Sequence, residues 1–375
     1  MASLLIAGSQ YAHSASEAPP PGYKPLSNSD EAGIWLQNDK MEQGLQQSPL
    51  LVKDEKLNAY VQKLVCELAG PQCTSVRVYV VDAPEFNAFC MANGAMVVNT
   101  GLLLRMENEA QLALVLGHEL THYSKRHVLD ALLSRRNTAG ALQILSFGLG
   151  GATTLVELLA IGSLASYSRN QEREADAGGF ELAVGRGYDP RQGAVIWGYM
   201  EAEAAANPNR SKPSAFFADH PANKERLDTM EKRAAEMEVQ THAAELGAHY
   251  YRDAIAPLRA KWVEEEINRG EYAESIALFQ RLIKNDPASG ELQYYLGEVY
   301  RRRNANGDAD NAIAAYRAAI AGMGAPAAVH RSLGLVALKS GNKPMAREAL
   351  RQYLALTPNA SDRTTIEYYL QTVGE

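Results

Sequence analysis

The stretch His118-Glu119-Leu120-Thr121-His122 sets two imidazoles four residues apart, with a carboxylate next to the first. On a helix, residues four apart share a face, so His118 and His122 can reach one ion. Imidazole nitrogens suit zinc, with bonds of about 2.0–2.1 Å. Glu119 sits one residue round from the first ligand, where it can take a proton from a water at the ion rather than bind the ion itself. Hydrolytic zinc needs a third protein ligand, and the later stretch Ser168 to Asp176, SRNQEREAD, offers Glu172, Glu174 and Asp176. At about 100° per residue, Glu172 shares a helix face with Ala175, Asp176, Gly179 and Ala183. That face is small and nearly apolar, so it can approach another helix closely. Glu174 points the other way, with Asn170 and Glu181, on a face that reads as solvated. The angles select Glu172 as the third ligand and Asp176, one turn on, as the acceptor for a ligand histidine's free N–H. The bland alternative is two buried structural histidines beside a surface glutamate, and it loses ground because a third ligand can be found.

These side chains need elements to hold them. Asn108 to Arg136 contains no Pro and one Gly, and Leu112, Val115, Leu116, Leu120, Val128, Leu129, Leu132 and Leu133 run an apolar stripe along it. The pattern predicts one helix with the motif in its middle. Asn108 is a plausible N-cap, with Gln111 three residues on in the manner of a capping box. Residues 30–69 read as helices, Val76 to Val81 as a strand, and Met96 to Val98 as a second strand after the turn signal Ala92-Asn93-Gly94. HELTH, followed some fifty residues later by SRNQEREAD, resembles the zinc metalloprotease family that includes HtpX and the CAAX prenyl proteases. The stretch from Asn87-Ala88-Phe89 to Asn99-Thr100-Gly101-Leu102-Leu103 resembles that family's hairpin before the zinc helix. The likeness spans roughly residues 30–235. It implies one zinc ion per chain on His118, His122 and Glu172, with Glu119 as general base and Asp176 behind the ligands. It also implies that the strand before the zinc helix edges the cleft, where an extended substrate can pair through its main chain. By the same analogy Asn87, with Ala88, is a candidate to hold the substrate backbone, although a turn-stabilising Asn87 is an equal reading.

Asn137 to Val156 carries no charged residue, and only Glu157 interrupts the apolar run to Ser168. A membrane span needs about 20 apolar residues, but Gly148, Gly150, Gly151, Gln143 and Glu157 speak against one. A single span would also put Glu172 across the membrane from His118. The preferred reading is two helical pieces around a glycine hinge, a lid whose apolar surface at residues 139–167 can touch a membrane peripherally. Asp189-Pro190 reads as N-cap and first residue of the next helix. Beyond a polar, Pro-containing loop, His220-Pro221 resembles the family's HP element, which implies that His220 can fill the ion's fourth position as a switch. A capping or surface histidine is the competing reading.

From about residue 256 a repeat appears. Trp262-Val263, Gly270, Tyr272 and Phe279 open a series continued by Leu296-Gly297 with Tyr316 and by Leu333-Gly334 with Leu350. Val263 to Gly297 is 34 residues and Gly297 to Gly334 is 37, the excess matching a polar turn at Asn304 to Asp308. This resembles tetratricopeptide repeats, stacked helix pairs that mostly bind proteins on a concave face. Thr364 to Val373 should cap the last pair. The fold expected is therefore α+β and mostly α: a zincin-like metalloprotease domain with a small β-sheet at 30–240, then an all-α repeat superhelix at 241–375. The repeat-bearing arrangement resembles the periplasmic, β-barrel-assembly-enhancing type of the family. It implies an endopeptidase of misfolded or stalled outer-membrane proteins, docked to assembly machinery through its repeats.

Composition bounds the rest. A net charge of −7 and the lack of any basic run argue against a nucleic-acid partner. Residues 1–29 read as a leader: a short apolar run, Leu4 to Ala7, small residues at Ala12 to Ala15, then a Pro-rich linker, without a basic start. Of three cysteines, Cys66 and Cys73 can form a local disulfide in an oxidising compartment or remain as two buried thiols. No C-x-x-C pair makes any of them a zinc ligand. A non-catalytic chaperone or adaptor with a structural four-ligand zinc is the rival function. Glu119 weighs against it, since a structural site has no use for that carboxylate.

Overall fold

The computed structural model describes residues 19–135, 167–208, 220, 224–238 and 245–373. Of the leader expected at 1–29, residues 1–18 lie outside the described residues, and so does the lid or membrane-touching segment expected at 139–167, apart from Tyr167. Among the described residues no helix is long and apolar enough to cross a membrane.

The first layer is helical. Helix α1 (Asp30–Gln46) is capped by Ser29 and α2 (Glu55–Ala69) by Asp54, whose side chains accept from Ala32 N and Leu57 N. A 3-10 turn, Gly70–Ser75, contains Cys73, which is bridged to Cys66. Three strands follow: β1 (Arg77–Val81), β2 (Ala88–Cys90) and β3 (Ala95–Asn99). Their order is β1-β3-β2, with β1 parallel and β2 antiparallel to β3. The strand before the zinc helix is therefore central, and β2, which carries Ala88, is the edge. The physical reason is the tight turn at Met91 to Gly94. It folds β2 back as the second arm of a hairpin, with Gly94 at φ 86° and Gly94 N donating to Met91 O.

Helix α3 (Thr100–Arg105) leads into α4 (Glu109–Ser124), which holds the HELTH motif. Asn108 caps α4 as expected, accepting from Gln111 N at 2.9 Å, while Gln111 Oε1 reaches back to Glu107 N at 2.8 Å. The single helix expected to Arg136 is broken. It ends at Ser124, Arg126 takes φ 59°, and α5 (His127–Arg135) starts anew, so the motif occupies the last turns of α4. No local Gly or Pro announces this break. A left-handed non-glycine residue costs about 1–2 kcal/mol, and Arg126 is held there by an ion pair to Glu31 at 2.5 Å and by the Tyr23 ring at 5.4 Å.

Helix α6 (Arg169–Val184) starts from a complete capping box, Ser168 with Gln171. Its buried face is Glu172, Ala175, Asp176, Gly179, Phe180 and Ala183, the face expected from the angles with Phe180 added. Helix α7 (Arg191–Ala206) begins after Asp189, whose Oδ1 accepts from Arg191 N at 2.9 Å, with Pro190 already helical. Helix α8 (Lys224–Glu238) packs on α7.

The repeats are α9 (Ala248–Asn268), α10 (Tyr272–Asn285), α11 (Gly290–Arg303), α12 (Asp308–Ala321), α13 (Ala328–Lys339), α14 (Lys343–Leu356) and the capping α15 (Arg363–Val373). Gly297 and Gly334 each meet a large partner, while Gly270, at φ 81°, has open space where a Cβ would be. A Cβ on Gly297 would sit 2.4 Å from the Tyr316 ring, and one on Gly334 2.6 Å from Leu350. Trp262, Val263, Ile267 and Phe279 belong to the same buried cluster as Leu112 and Leu116 of α4, so the N-terminal domain and the repeats share one core.

Candidate metal centre

Two helices cross at glycine to build the centre. A Cβ on Gly179 of α6 would lie 2.7 Å from His118 N, and one on Gly117 of α4 would lie 3.0 Å from Gly179 O. This backbone contact brings Glu172 up to the HELTH face. His118 Nε2 and His122 Nε2 lie 3.0 Å apart. Glu172 Oε1 is 3.5 Å from His122 Nε2, and its Oε2 is 3.7 Å from His118 Nε2. His220 joins them, with Nδ1 2.9 Å from Glu172 Oε1 and 3.2 Å from His118 Nε2. Ligand atoms of His118, His122, Glu172 and His220 all fall within 4.8 Å of one another, and all four residues are buried. Imidazole nitrogens and carboxylate oxygens converging on one buried point fit a zinc-like cation.

Glu119 is fully buried, and neither carboxylate oxygen has a hydrogen-bond partner among the described residues. Burial pushes its pKa up to about 8, and the Glu172 charge adds to this, while His118 pulls it down. A bound cation would favour its ionised form. The other face of His220 approaches it, with Nε2 3.5 Å from Glu119 Oε1. Glu172 is held below the usual carboxylate range: burial opposes ionisation, and the surrounding His220, His122 and His118 overcome it. Asp176 accepts from His118 Nδ1 at 3.0 Å.

Sequence reasoning missed four features. Arg226 of α8 donates to both Asp176 oxygens at 2.8 and 2.7 Å and pairs with Glu172 Oε2 at 2.7 Å, its guanidinium over the Trp197 ring. The only signal for it was an arginine six residues after His220 in a charged helix. Tyr167 stacks on His122 with ring centroids 3.8 Å apart. His127 touches His122, Nδ1 to Nδ1 at 3.1 Å, and its Nε2 is 3.2 Å from Glu174 Oε2. Glu174 does face solvent, its side chain 58% exposed, while one oxygen meets the buried His127. An apolar pocket lined by Phe86, Val115, Phe180, Trp197, Met200 and Met230 opens beside His118 and Asp176.

The remaining expected residues lie at the start of the edge strand β2. Asn87 precedes β2, fully buried, with both side-chain amide atoms unpartnered among the described residues. Ala88 pairs with Val98. Strand β2 packs against α4. Cys90, on that strand, is a buried free thiol whose pKa burial pushes above its ordinary value.

Residues 52–234 match the model of peptidase family M48. The chain carries a peptidase family M48 domain. Tetratricopeptide repeats match at 261–326 and 305–361. A mitochondrial metalloendopeptidase OMA1 of Arabidopsis thaliana is 29% identical over 197 residues, 51% of this chain and 37% of that protein. The β-barrel assembly-enhancing protease of Escherichia coli is 27% identical over 207 residues, 52% of this chain and 42% of that protein. The metalloprotease LoiP of the same organism is 31% identical over 169 residues, 43% of this chain and 63% of that protein. The chain thus spans about half the length of the curated relatives it matches.

Proposed function

We propose that the protein is a zinc-dependent endopeptidase, with one ion per chain held by His118, His122 and Glu172. The observation that carries this reading is Glu119: a fully buried carboxylate whose oxygens have no hydrogen-bond partner among the described residues, beside four converging ligand atoms. A structural site would have no use for it. When bound, zinc supplies Lewis-acid chemistry, polarising a carbonyl and acidifying a water. Glu119 takes the proton of the attacking water at a carboxylate oxygen and passes it to the leaving amine. Asp176 fixes the His118 ring through Nδ1–H, and Arg226 balances the paired charges of Glu172 and Asp176. The β2 edge receives an extended substrate, with Asn87 and Ala88 holding its backbone. The apolar pocket beside His118 takes an apolar side chain next to the scissile bond.

His220 is the fourth ligand and acts as a latch over the catalytic position. Its 1% exposure and its place between Glu172 and Glu119 support this. The same contact is what a structural four-ligand zinc would need, so the adaptor reading rests on His220 as well.

The substrates are unfolded or misassembled proteins, with outer-membrane proteins the first candidates, since one relative is a β-barrel assembly-enhancing protease. The repeats dock protein partners, including the assembly machinery, on their concave face. The Cys66–Cys73 disulfide supports an oxidising location such as the periplasm. The net charge of −7 argues against a nucleic-acid partner. The test is cleavage of an unfolded protein by the purified chain before and after chelation. Activity should vanish with the metal and return with stoichiometric zinc; chelator-insensitive cleavage would contradict the reading.

A further inference from the structure

His118 and His122 are supported differently. The free nitrogen of His118 meets a carboxylate directly, Nδ1 to Asp176 Oδ1 at 3.0 Å. The free nitrogen of His122 meets another imidazole, His127 Nδ1 at 3.1 Å, and the far nitrogen of that ring meets Glu174 Oε2 at 3.2 Å. His122 and His127 are both buried.

The donors and acceptors along this chain have one consistent arrangement. To offer Nε2 to a cation, neutral His122 must carry its proton on Nδ1. His127 Nδ1 is then the acceptor, so His127 carries its proton on Nε2, where it donates to the Glu174 carboxylate. Every link runs donor to acceptor, and the last acceptor is a solvated carboxylate.

The backbone break after α4 makes this contact possible. In an unbroken helix a residue five positions on would lie about 140° round from His122 and could not face it. The left-handed Arg126, φ 59°, reverses the chain and returns His127 to the motif. Backbone strain of this kind persists only where its surroundings impose it, and here Glu31 and Tyr23 do so.

We propose that His127 and Glu174 are positioning residues for the metal site, a relay that fixes the tautomer and ring orientation of His122 as Asp176 does for His118. This rests on the reading of His118, His122 and Glu172 as metal ligands. Neither residue is among the four whose ligand atoms converge.

The experiment measures zinc affinity of the full chain by competition with a chromophoric chelator. It compares wild type, His127→Ala, His127→Asn and Glu174→Ala, each checked for its metal-free melting temperature. Cobalt(II) absorption of the same proteins reads the ligand geometry. Asn places a carbonyl oxygen near the position of Nδ1, so it can still accept from His122. The relay predicts zinc binding about 10–100-fold weaker in His127→Ala, with a perturbed cobalt spectrum, and recovery of most of that loss in His127→Asn. Glu174→Ala should weaken binding by less. Wild-type zinc affinity in folded His127→Ala would overturn the proposal, as would His127→Asn binding as weakly as His127→Ala. If His127→Ala does not fold, unchanged affinity and spectrum in Glu174→Ala, an exposed change, would overturn it. A wild-type chain that takes up neither zinc nor cobalt would instead defeat the ligand assignment on which the relay depends.

Discussion

His220 is the residue whose role has two opposite consequences. Its Nδ1 faces the ligand atoms and its Nε2 faces Glu119, so on the proposed reading it occupies the catalytic position. If it is a latch, His220→Ala opens the catalytic position, and cleavage of an unfolded protein should rise several-fold with zinc content unchanged. If it donates to the developing oxyanion, the same change slows turnover. Initial rates of the two proteins on one substrate separate these outcomes, and a fall would sink the latch. At this scale the sequence was most legible where spacing alone decides geometry. His118 and His122 share a face by their four-residue separation, and Glu172 and Asp176 share another. Arg226 was not legible, because its partners lie 50 residues back in the chain and only the tertiary fold brings α8 over α6. His127 was hidden by the assumption of a continuous helix, which would have turned it away from His122.

The α4–α6 crossing sets the distance between the ligands. It rests on Gly117 and Gly179 meeting backbone to backbone, with Gly178 against the Thr121 side chain. The expectation of a small, close-packing face on α6 was right, while Gly117 as its counterpart went unrecognised, since a lone glycine in a helix carries several meanings. Gly179→Val would drive two methyls toward the His118 main chain and force the helices apart. Overpacking of this kind costs about 1–3 kcal/mol, and the separation should weaken zinc binding too. Thermal melts with and without zinc check both effects. Wild-type stability and affinity together would contradict a site built on this contact. The helix break at Arg126 shows why element boundaries escape local reading. The signals for a stop are Gly, Asn or Pro, none of which is present, and the residues that hold the turn, Glu31 and Tyr23, come from some hundred positions earlier.

Across the whole molecule, the protease domain and the repeats are joined by buried charge as well as by apolar packing. Arg105 of α3, 2% exposed, pairs with Glu203 of α7 at 2.7 Å and Glu266 of α9 at 2.9 Å. Arg281 of α10 pairs with Glu107 at 2.5 Å, and Arg269 pairs with Glu266 and Glu274. Burial opposes ionisation of Glu266, but the Arg105 and Arg269 cations beside it hold it below its ordinary range. Removing Arg105 leaves the buried Glu203 and Glu266 with only Arg281 and Arg269 to balance them, at a cost of at most about 3–5 kcal/mol, the figure for a wholly uncompensated buried charge. Arg105→Ala should therefore lower the denaturant midpoint and make the chain between α8 and α9 easier to cut by limited proteolysis. A variant as stable and as resistant as wild type would mean that the apolar contacts alone fix the repeats. The repeat register was legible because each helix pair repeats the same local packing rule, Gly297 under Tyr316 and Gly334 under Leu350. The junction was not, because Arg105 and its acids come from three separate parts of the chain.

The central claim is that Glu119 is a general base at a metal centre rather than a bystander within a structural site. Glu119→Gln keeps the size of the side chain and leaves His118, His122, Glu172 and His220 in place, but an amide cannot accept the proton of water. The measurement is zinc content per chain alongside the initial rate of cleavage of an unfolded protein. The account predicts wild-type zinc and a rate at least 100-fold lower, in line with the usual contribution of a positioned base. Wild-type zinc with a wild-type rate would contradict it.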